Sequence, residues 1–277
     1  AITNQFLKEF PKVKNVNLLE LGPGNGLLSM DIYDYLKSKN VIVNDLTLLE
    51  KSEYFREKIS EKSEVKVNFI KNIYDYKIDN GDVVFIYSNE FFDAIGSKQF
   101  IYNNGNFNEI KISKNNDEYL LIKDSTIISR ELLNIYSSYN FKDNDILEHS
   151  NLILNILSDI QKLECKKYFF TTTDYGYTKL PFKSTLRLLS NHKKLNLFDK
   201  FENVDYSFGV NFELMNSFFL KNNPSIIYQK DLILNNLPSE YLKSSDKNIK
   251  EMIDLISGKK FGDMGTSFLN LSFKKNE

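Results

Sequence analysis

"VNLLELGPGNG", residues 16 to 26, decides the fold. Its first part, "VNLLELG" (16–22), is a short apolar run closed by glycines, the pattern of a buried strand. The glycines lead into "LLSMDIYDYLKSK" (27–39), where Leu28, Ile32 and Leu36 recur at four-residue spacing, the pattern of a helix. The chain repeats this unit. "DLTLLE" (45–50) reads as a second strand and "SEYFREKIS" (52–60) as a helix with Ser52 as its cap. "VKVNFI" (65–70) and "DVVFIYS" (82–88) read as the third and fourth strands. Strand–helix–strand alternation predicts a parallel sheet with helices on both faces.

The pattern changes after residue 98. "QFIYNNGNFNEIKIS" (99–113) places two β-like runs around Asn103-Asn104-Gly105, a hairpin signal, and "EYLLIKD" (118–124) offers another strand. "NLILNILSDIQKL" (151–163) returns to helical period, and "KKYFFTTTDYG" (166–176) reads as the fifth strand. Residues 177 to 210 are loop-rich. "FELMNSFFLKN" (212–222) reads as a helix, "SIIYQKDLIL" (225–234) as a strand and "KNIKEMIDLIS" (247–257) as a helix. "SFLNLSF" (267–273) alternates as a last, antiparallel strand. The expected organisation is one α/β domain with a seven-stranded, mostly parallel sheet. Residues 1–98 form its N-terminal half, 99–148 a β-rich insertion and 149–277 its C-terminal half.

Composition excludes several classes. A net charge of -1 gives no electrostatic case for nucleic acid or an anionic membrane. One cysteine, Cys165, excludes an internal disulfide framework and a Cys-based zinc site, and the two histidines are too few for a His-rich metal centre. No apolar run approaches the roughly 20 residues of a membrane helix. The chain begins at Ala1 with no signal-peptide pattern, which reads as a processed or trimmed start. Lysine outnumbers arginine 33 to 3, the residue usage of an AT-rich genome, so lysine runs carry little information.

The turn "ELGPGNG" (20–26) matches neither the dinucleotide fingerprint, since its third glycine comes one residue early, nor a P-loop. It has the form E/D-x-G-x-G-x-G, the signature associated with S-adenosylmethionine (SAM) methyltransferases. Glu20, Gly22, Gly24 and Gly26 are its candidate cofactor-binding residues; a purely structural tight turn is the alternative. Glu50 ends the second strand, where a carboxylate can accept both hydroxyls of a ribose diol, or can be a solvated acid before Ser52.

At the end of the fourth strand, "SNEFFDA" (88–94) puts Asn89, Glu90 and Asp93 among aromatic side chains. Ligands of open α/β sheets bind outside the carboxyl ends of the strands. These residues, with Asp174 at the end of the fifth strand, are candidate catalytic groups; Asn89 is also a candidate for the methionine end of SAM. Carboxylates there can grip a planar cation through paired N–H···O bonds, with Phe91 and Phe92 excluding water. Equally, Asn89 and Asp93 fit helix caps and Asp174 a turn-forming acid before Gly176. Arg187 and His192 lie in a segment that can close over such a site, or serve as a structural ion pair and an exposed side chain.

Four stretches together resemble the MidA-like family of SAM-dependent protein arginine methyltransferases, which includes the mitochondrial complex I assembly methyltransferase and bacterial relatives. They are "ELGPGNGLLSMDI" (20–32), "NEFFDAIGSKQF" (89–100), "DYGY" with "STLRLLSNH" (174–177 and 184–192), and "DYSFGVNF" (205–212). "ILEHS" (146–150) and "FGDMGTSFLNLSF" (261–273) add to the likeness. Family members carry a substantial segment before the glycine loop, where about 20 residues stand here, and Gly96 replaces a usual proline. The resemblance implies a Rossmann-like class I SAM methyltransferase fold, SAM as cofactor, and a protein acceptor with a target arginine, such as a complex I subunit. It implies the cytoplasm for a bacterial chain and the mitochondrial matrix for a eukaryotic one. A small-molecule SAM methyltransferase and a non-catalytic assembly factor that retains the SAM fold are the competing readings.

Overall fold

Residues 1–78, 83–115, 118–125, 128–190, 193–198, 204–256 and 265–276 are described in the computed structural model. The chain divides into two compact units, one of residues 1–91, 156–176 and 212–277, the other of 92–155 and 177–211.

The first unit is built on a large sheet. Its strands are β1 (Asn15–Leu21), β2 (Ile42–Leu49), β3 (Asn68–Ile70) and β4 (Val83–Asn89), with three more from the C-terminal half described below. Helices α1 (Ile2–Glu9), α2 (Leu27–Ser38) and α3 (Glu53–Lys62) connect and flank them. Ser52 caps α3, its hydroxyl accepting the Phe55 N–H at 3.4 Å. β1 pairs in parallel with β2 on one side and with β4 on the other, and β2 with β3. The third strand is shorter than "VKVNFI" suggests: only its last three residues join the sheet.

The second unit holds β5 (Lys98–Asn103), β6 (Asn106–Asn115), β7 (Glu118–Ser125), helix α4 (Ser129–Ile135) and β8 (Ile146–His149). The strands form an antiparallel sheet in the order β7-β6-β5-β8. The turn between β5 and β6 has positive φ at both Asn104 (49°) and Gly105 (78°), the backbone that a two-residue hairpin needs to match strand twist.

The chain returns to the large sheet through α5 (Asn151–Gln161) and β9 (Lys167–Tyr177). Residues 177 to 210, loop-rich in sequence, contain β10 (Arg187–Ser190), β11 (Lys193–Lys194) and β12 (Asp205–Ser207), which form a small antiparallel sheet in the second unit. β13 (Val210–Asn211) and α6 (Phe212–Phe218) follow.

"SIIYQKDLIL" departs from expectation. Only Ser225–Tyr228 is a strand, β14, and the chain turns at once into α7 (Gln229–Asn236). The apolar run serves two periods: Ile226 and Ile227 lie in the sheet, while Leu232 and Asn236, four apart, are buried along the helix. Side chains of α1 bond the end of α7: Asn4 Nδ2 donates to Asn236 O at 2.7 Å and Lys8 Nζ to Asn235 O at 3.0 Å, satisfying carbonyls that a helix end leaves open. α8 (Ser239–Leu242) and α9 (Lys247–Ile256) precede the final strand β15 (Phe268–Asn276). β15 runs antiparallel between β14 and β9, giving the strand path β14-β15-β9-β4-β1-β2-β3; β13 also pairs with β9 off this path, so the sheet has eight strands, not the seven expected.

The core on one face is aromatic. Phe6 of α1 stacks on Phe85 of β4 at 4.6 Å with ring planes 3° apart, and Phe169 and Tyr87 pack beside Phe85. On β9 and β15, Phe170 and Phe273 meet Phe219. Phe6 is fully buried, so Phe6→Ala is expected to lower unfolding stability by about 3–5 kcal/mol, read by urea denaturation.

Candidate active site

The site grows from the parallel strand ends of the first unit. After β1 the loop residues Gly22, Gly24 and Gly26 all have positive φ (68°, 54° and 79°), which side-chain-bearing residues adopt only at a cost. The ends of the loop are packed. A Cβ at Gly22 would meet the Phe91 ring at 2.4 Å, and one at Gly26 would meet Ile59 of α3 at 3.0 Å. A Cβ at Gly24 would meet nothing within 4 Å. The middle of the loop therefore presents bare backbone to open space, next to the N-terminus of α2. The Gly22 and Gly26 N–H groups donate to Leu49 O at 3.1 Å and Pro23 O at 2.8 Å, which leaves the backbone around Gly24 to meet an anionic group such as a carboxylate.

Glu20 lies beneath this loop. It is 2% exposed, and the Ser29 hydroxyl donates to its Oε2. With its proton so used, Ser29 Oγ accepts from Tyr87 OH at 2.6 Å. Burial pushes the Glu20 carboxyl up to about 7, against the opposing pull of the Ser29 hydroxyl and backbone N–H. Burial likewise raises the Tyr87 phenol, with the Glu20 charge adding to it. Glu20 thus binds the first turn of α2 from inside and holds the loop's shape.

Glu50 follows β2. Its N–H donates to Ile70 O at 3.1 Å, and its Oε1 accepts the Ser52 N–H at 2.7 Å. The side chain is half-buried, and among the described residues Oε2 makes no hydrogen bond, which fits the acceptor that a ribose diol requires.

Asn89 and Glu90 end β4 and are exposed. Glu90 has φ 50°, a left-handed conformation that costs a non-glycine residue about 1–3 kcal/mol. Its N–H donates to Thr173 O of β9 at 2.9 Å, and Asn89 Nδ2 donates to its Oε1 at 3.3 Å. The Phe91 ring packs over Gly22.

Asp174 does not stand on an open surface: it is 0% exposed within β9, where Thr172 Oγ1 donates to its Oδ2 at 3.2 Å. Ser88 Oγ donates in turn to Thr172 Oγ1 at 2.7 Å, so a buried hydroxyl chain ties β4 to β9. Sequence reasoning missed Ser29, Tyr87, Thr173 and Asn270; the run Thr171-Thr172-Thr173 inside an apolar strand was the available signal.

The second unit holds the other expected residues. Asp93 is buried, its carbonyl accepting the Phe208 N–H at 3.0 Å. Arg187 is exposed at the start of β10, and His192 lies outside the described residues. Glu148, in the "ILEHS" stretch, is the principal staple of this unit. Its Oε1 accepts Gln99 Nε2 at 2.8 Å, Thr185 N–H at 2.9 Å and Ser184 Oγ at 3.3 Å, and Oε2 accepts from Thr185 Oγ1. Its neighbour His149 pairs through Nε2 with Asn151 Oδ1 at 2.8 Å and through Nδ1 with Tyr136 OH at 3.0 Å, and burial lowers its pKa. No group of three or more His, Cys, Asp or Glu side chains suited to a metal occurs among the described residues, and no described helix is long and apolar enough to cross a membrane.

The first unit is thus an α/β fold with a positive-φ glycine loop after its first strand. The family described as "Putative S-adenosyl-L-methionine-dependent methyltransferase" matches residues 1–226, and the chain belongs to it. An uncharacterized protein from Burkholderia thailandensis superposes with a TM-score of 0.81 at 14% identity, over 99% of this chain and 78% of its own. A further structure from Burkholderia thailandensis, of a likely methyl transferase bound to S-adenosyl-homocysteine, superposes with a TM-score of 0.77 at 14% identity, over 99% of this chain and 75% of its own. At this identity the likeness establishes the fold. No curated protein matches the sequence. The cofactor of the family is SAM, which leaves S-adenosyl-homocysteine once its methyl group is transferred.

Because native Glu20 holds its proton more tightly than the unfolded chain does, it contributes stability fully below the ordinary carboxylate value of 4.5. That contribution is lost as pH rises through about 7. Glu20→Gln, which keeps an oxygen for Ser29 and cannot ionise, is expected to remove this dependence. Relative to wild type, the variant should gain about 3 kcal/mol between pH 4.5 and 8, measured by denaturant unfolding across that range.

Proposed function

We propose that this methyltransferase transfers the methyl group of SAM to an arginine side chain of a protein acceptor, such as a complex I subunit. The observation that carries the reading is Glu90: an exposed carboxylate at the end of a central strand, fixed in a strained left-handed conformation beside the glycine loop. Backbone strain that the surroundings hold in place marks positions where geometry matters more than stability. The likeness of residues 89–100 to the MidA-like arginine methyltransferases supports the same assignment.

In this reading the loop from Gly22 to Gly26 and the first turn of α2 hold SAM, and Glu50 accepts the ribose hydroxyls. SAM supplies an electrophilic methyl group on a positively charged sulfur. Glu90 binds the guanidinium through charge-assisted hydrogen bonds, turns one nitrogen toward the methyl group and accepts a proton late, because arginine's high pKa makes earlier deprotonation costly. Asn89 steadies the Glu90 carboxylate through its amide or reaches the methionine end of SAM. Asp174, buried behind Thr172, shapes the strand end. Asp93 and Arg187 belong to the second unit, to which we assign acceptor recognition.

Glu50→Ala is expected to weaken SAM binding by about 1–3 kcal/mol, the cost of unpaired ribose hydroxyls, measured by calorimetry. Binding unchanged by this substitution would remove Glu50 from the cofactor site.

Glu90→Gln is expected to cut turnover by about 10²-fold while leaving SAM affinity unchanged. Turnover is read as added methyl mass on the acceptor, localised by peptide analysis. Methylation of a small amine or acid with no protein arginine modified would overturn the acceptor class. Tight SAM binding without turnover on any acceptor would point to an assembly factor.

A further inference from the structure

Asn270 sits in β15 opposite Thr173 of β9 and is 0% exposed. Its Nδ2 donates to Thr171 Oγ1 at 2.8 Å, Thr172 O at 3.0 Å and Thr173 Oγ1 at 3.0 Å. Its Oδ1 is buried and, among the described residues, has no hydrogen-bond partner. A buried carbonyl oxygen without a donor costs stability, and an apolar side chain at this place would avoid the cost. Strand cohesion alone therefore does not account for an asparagine here.

What β9 presents to its neighbour does account for it. Side chains alternate along a strand, so Thr171 and Thr173 share the face that Asn270 grips, while Thr172 and Asp174 share the other. On that other face the Ser88–Thr172–Asp174 chain holds the strand. The end of β9 is thus fixed from both sides. The Thr173 carbonyl that emerges between these clamps accepts the Glu90 N–H at 2.9 Å, at the residue whose φ is 50°.

We propose that Asn270 is a positioning residue for methyl transfer: it fixes the Thr173 carbonyl, which keeps Glu90 in its left-handed conformation and its carboxylate at the sheet edge. The proposal rests on the reading of Glu90 as the group that binds the acceptor, and it makes a remote side chain on the last strand a determinant of turnover.

The test combines site-resolved amide exchange with steady-state kinetics on the full chain. In Asn270→Ala, exchange of the Glu90 amide should accelerate about tenfold or more while the amides of Val16 to Leu21 in β1 keep their protection. In the same variant kcat should fall about tenfold with the Kd for SAM held within about twofold. Thr173→Val, which keeps the carbonyl and the side-chain shape but removes one partner of Asn270, should shift both readouts in the same direction by less. A folded Asn270→Ala variant with unchanged Glu90 exchange overturns the proposal, as does one in which Glu90 and β1 lose protection together, the sign of a merely structural role. If Asn270→Ala does not fold, Thr173→Val decides by the same two measurements. If the wild-type protein methylates no arginine, the acceptor assignment falls, and exchange at Glu90 still decides whether Asn270 positions it.

Discussion

The ring of Phe91 fills the volume that a side chain at residue 22 would need. This contact sets a condition on two distant parts of the chain at once. The turn after β1 must have no Cβ at its first glycine, and the segment leaving β4 must place an aromatic ring against that turn. The positive φ at Gly22 and at Glu90 are two sides of this arrangement: one lets the loop pass under the ring, the other swings the chain so that the ring arrives. Ile59 fills the corresponding space at Gly26. A loop wedged at both ends and open at Gly24 keeps its shape before any ligand enters, which lowers the ordering cost of binding.

The polar groups of the first unit divide by exposure. Glu20, Asp174 and Asn270 are buried and spend their hydrogen bonds on the sheet and on α2. Glu50 and Glu90 reach solvent at the strand ends. Near-complete burial raises the pKa of Glu20, so the acid closest to the glycine loop in sequence serves that loop's conformation. Glu50 and Glu90 have backbone N–H groups tied to neighbouring strands, at Ile70 and Thr173.

Much of this was legible in the sequence. Strong periodicity gave β1, α2, α3, β4 and the Asn104-Gly105 hairpin, because apolar spacing and turn chemistry agree at those places. The glycine loop and Glu50 could be singled out because backbone freedom and a carboxylate at a strand end are visible one residue at a time. The rest depends on contacts between distant residues. "SIIYQKDLIL" has a strand-like composition over its whole length, and only packing against α1 and β15 turns its second half into a helix. Helix α1 passed unread, although Ile2, Phe6 and Phe10 recur at four-residue spacing and Phe6 is central to the core. Asp174 reads as a strand-end acid or a turn former before Gly176, and its complete burial within β9 is recorded by no local pattern. The left-handed backbone at Glu90 is likewise set from outside, by the Thr173 carbonyl.

The place of β15 bears on how the first unit comes into being. The last described strand in chain order, β15, is inserted between β14 and β9 rather than added at an edge. β4 and β9 are parallel neighbours although residues 90–166 separate them in the chain, so the sheet is joined by long loop closures. During synthesis the β15 side of β9 stays open along residues 167–175 until residues 268–276 have left the ribosome. Until then Thr171, Thr172 and Thr173 lack the amide that will hold them, and an apolar strand carries an open backbone edge. Insertion of β15 closes that edge, and the amide of Asn270 then joins three successive threonines of β9.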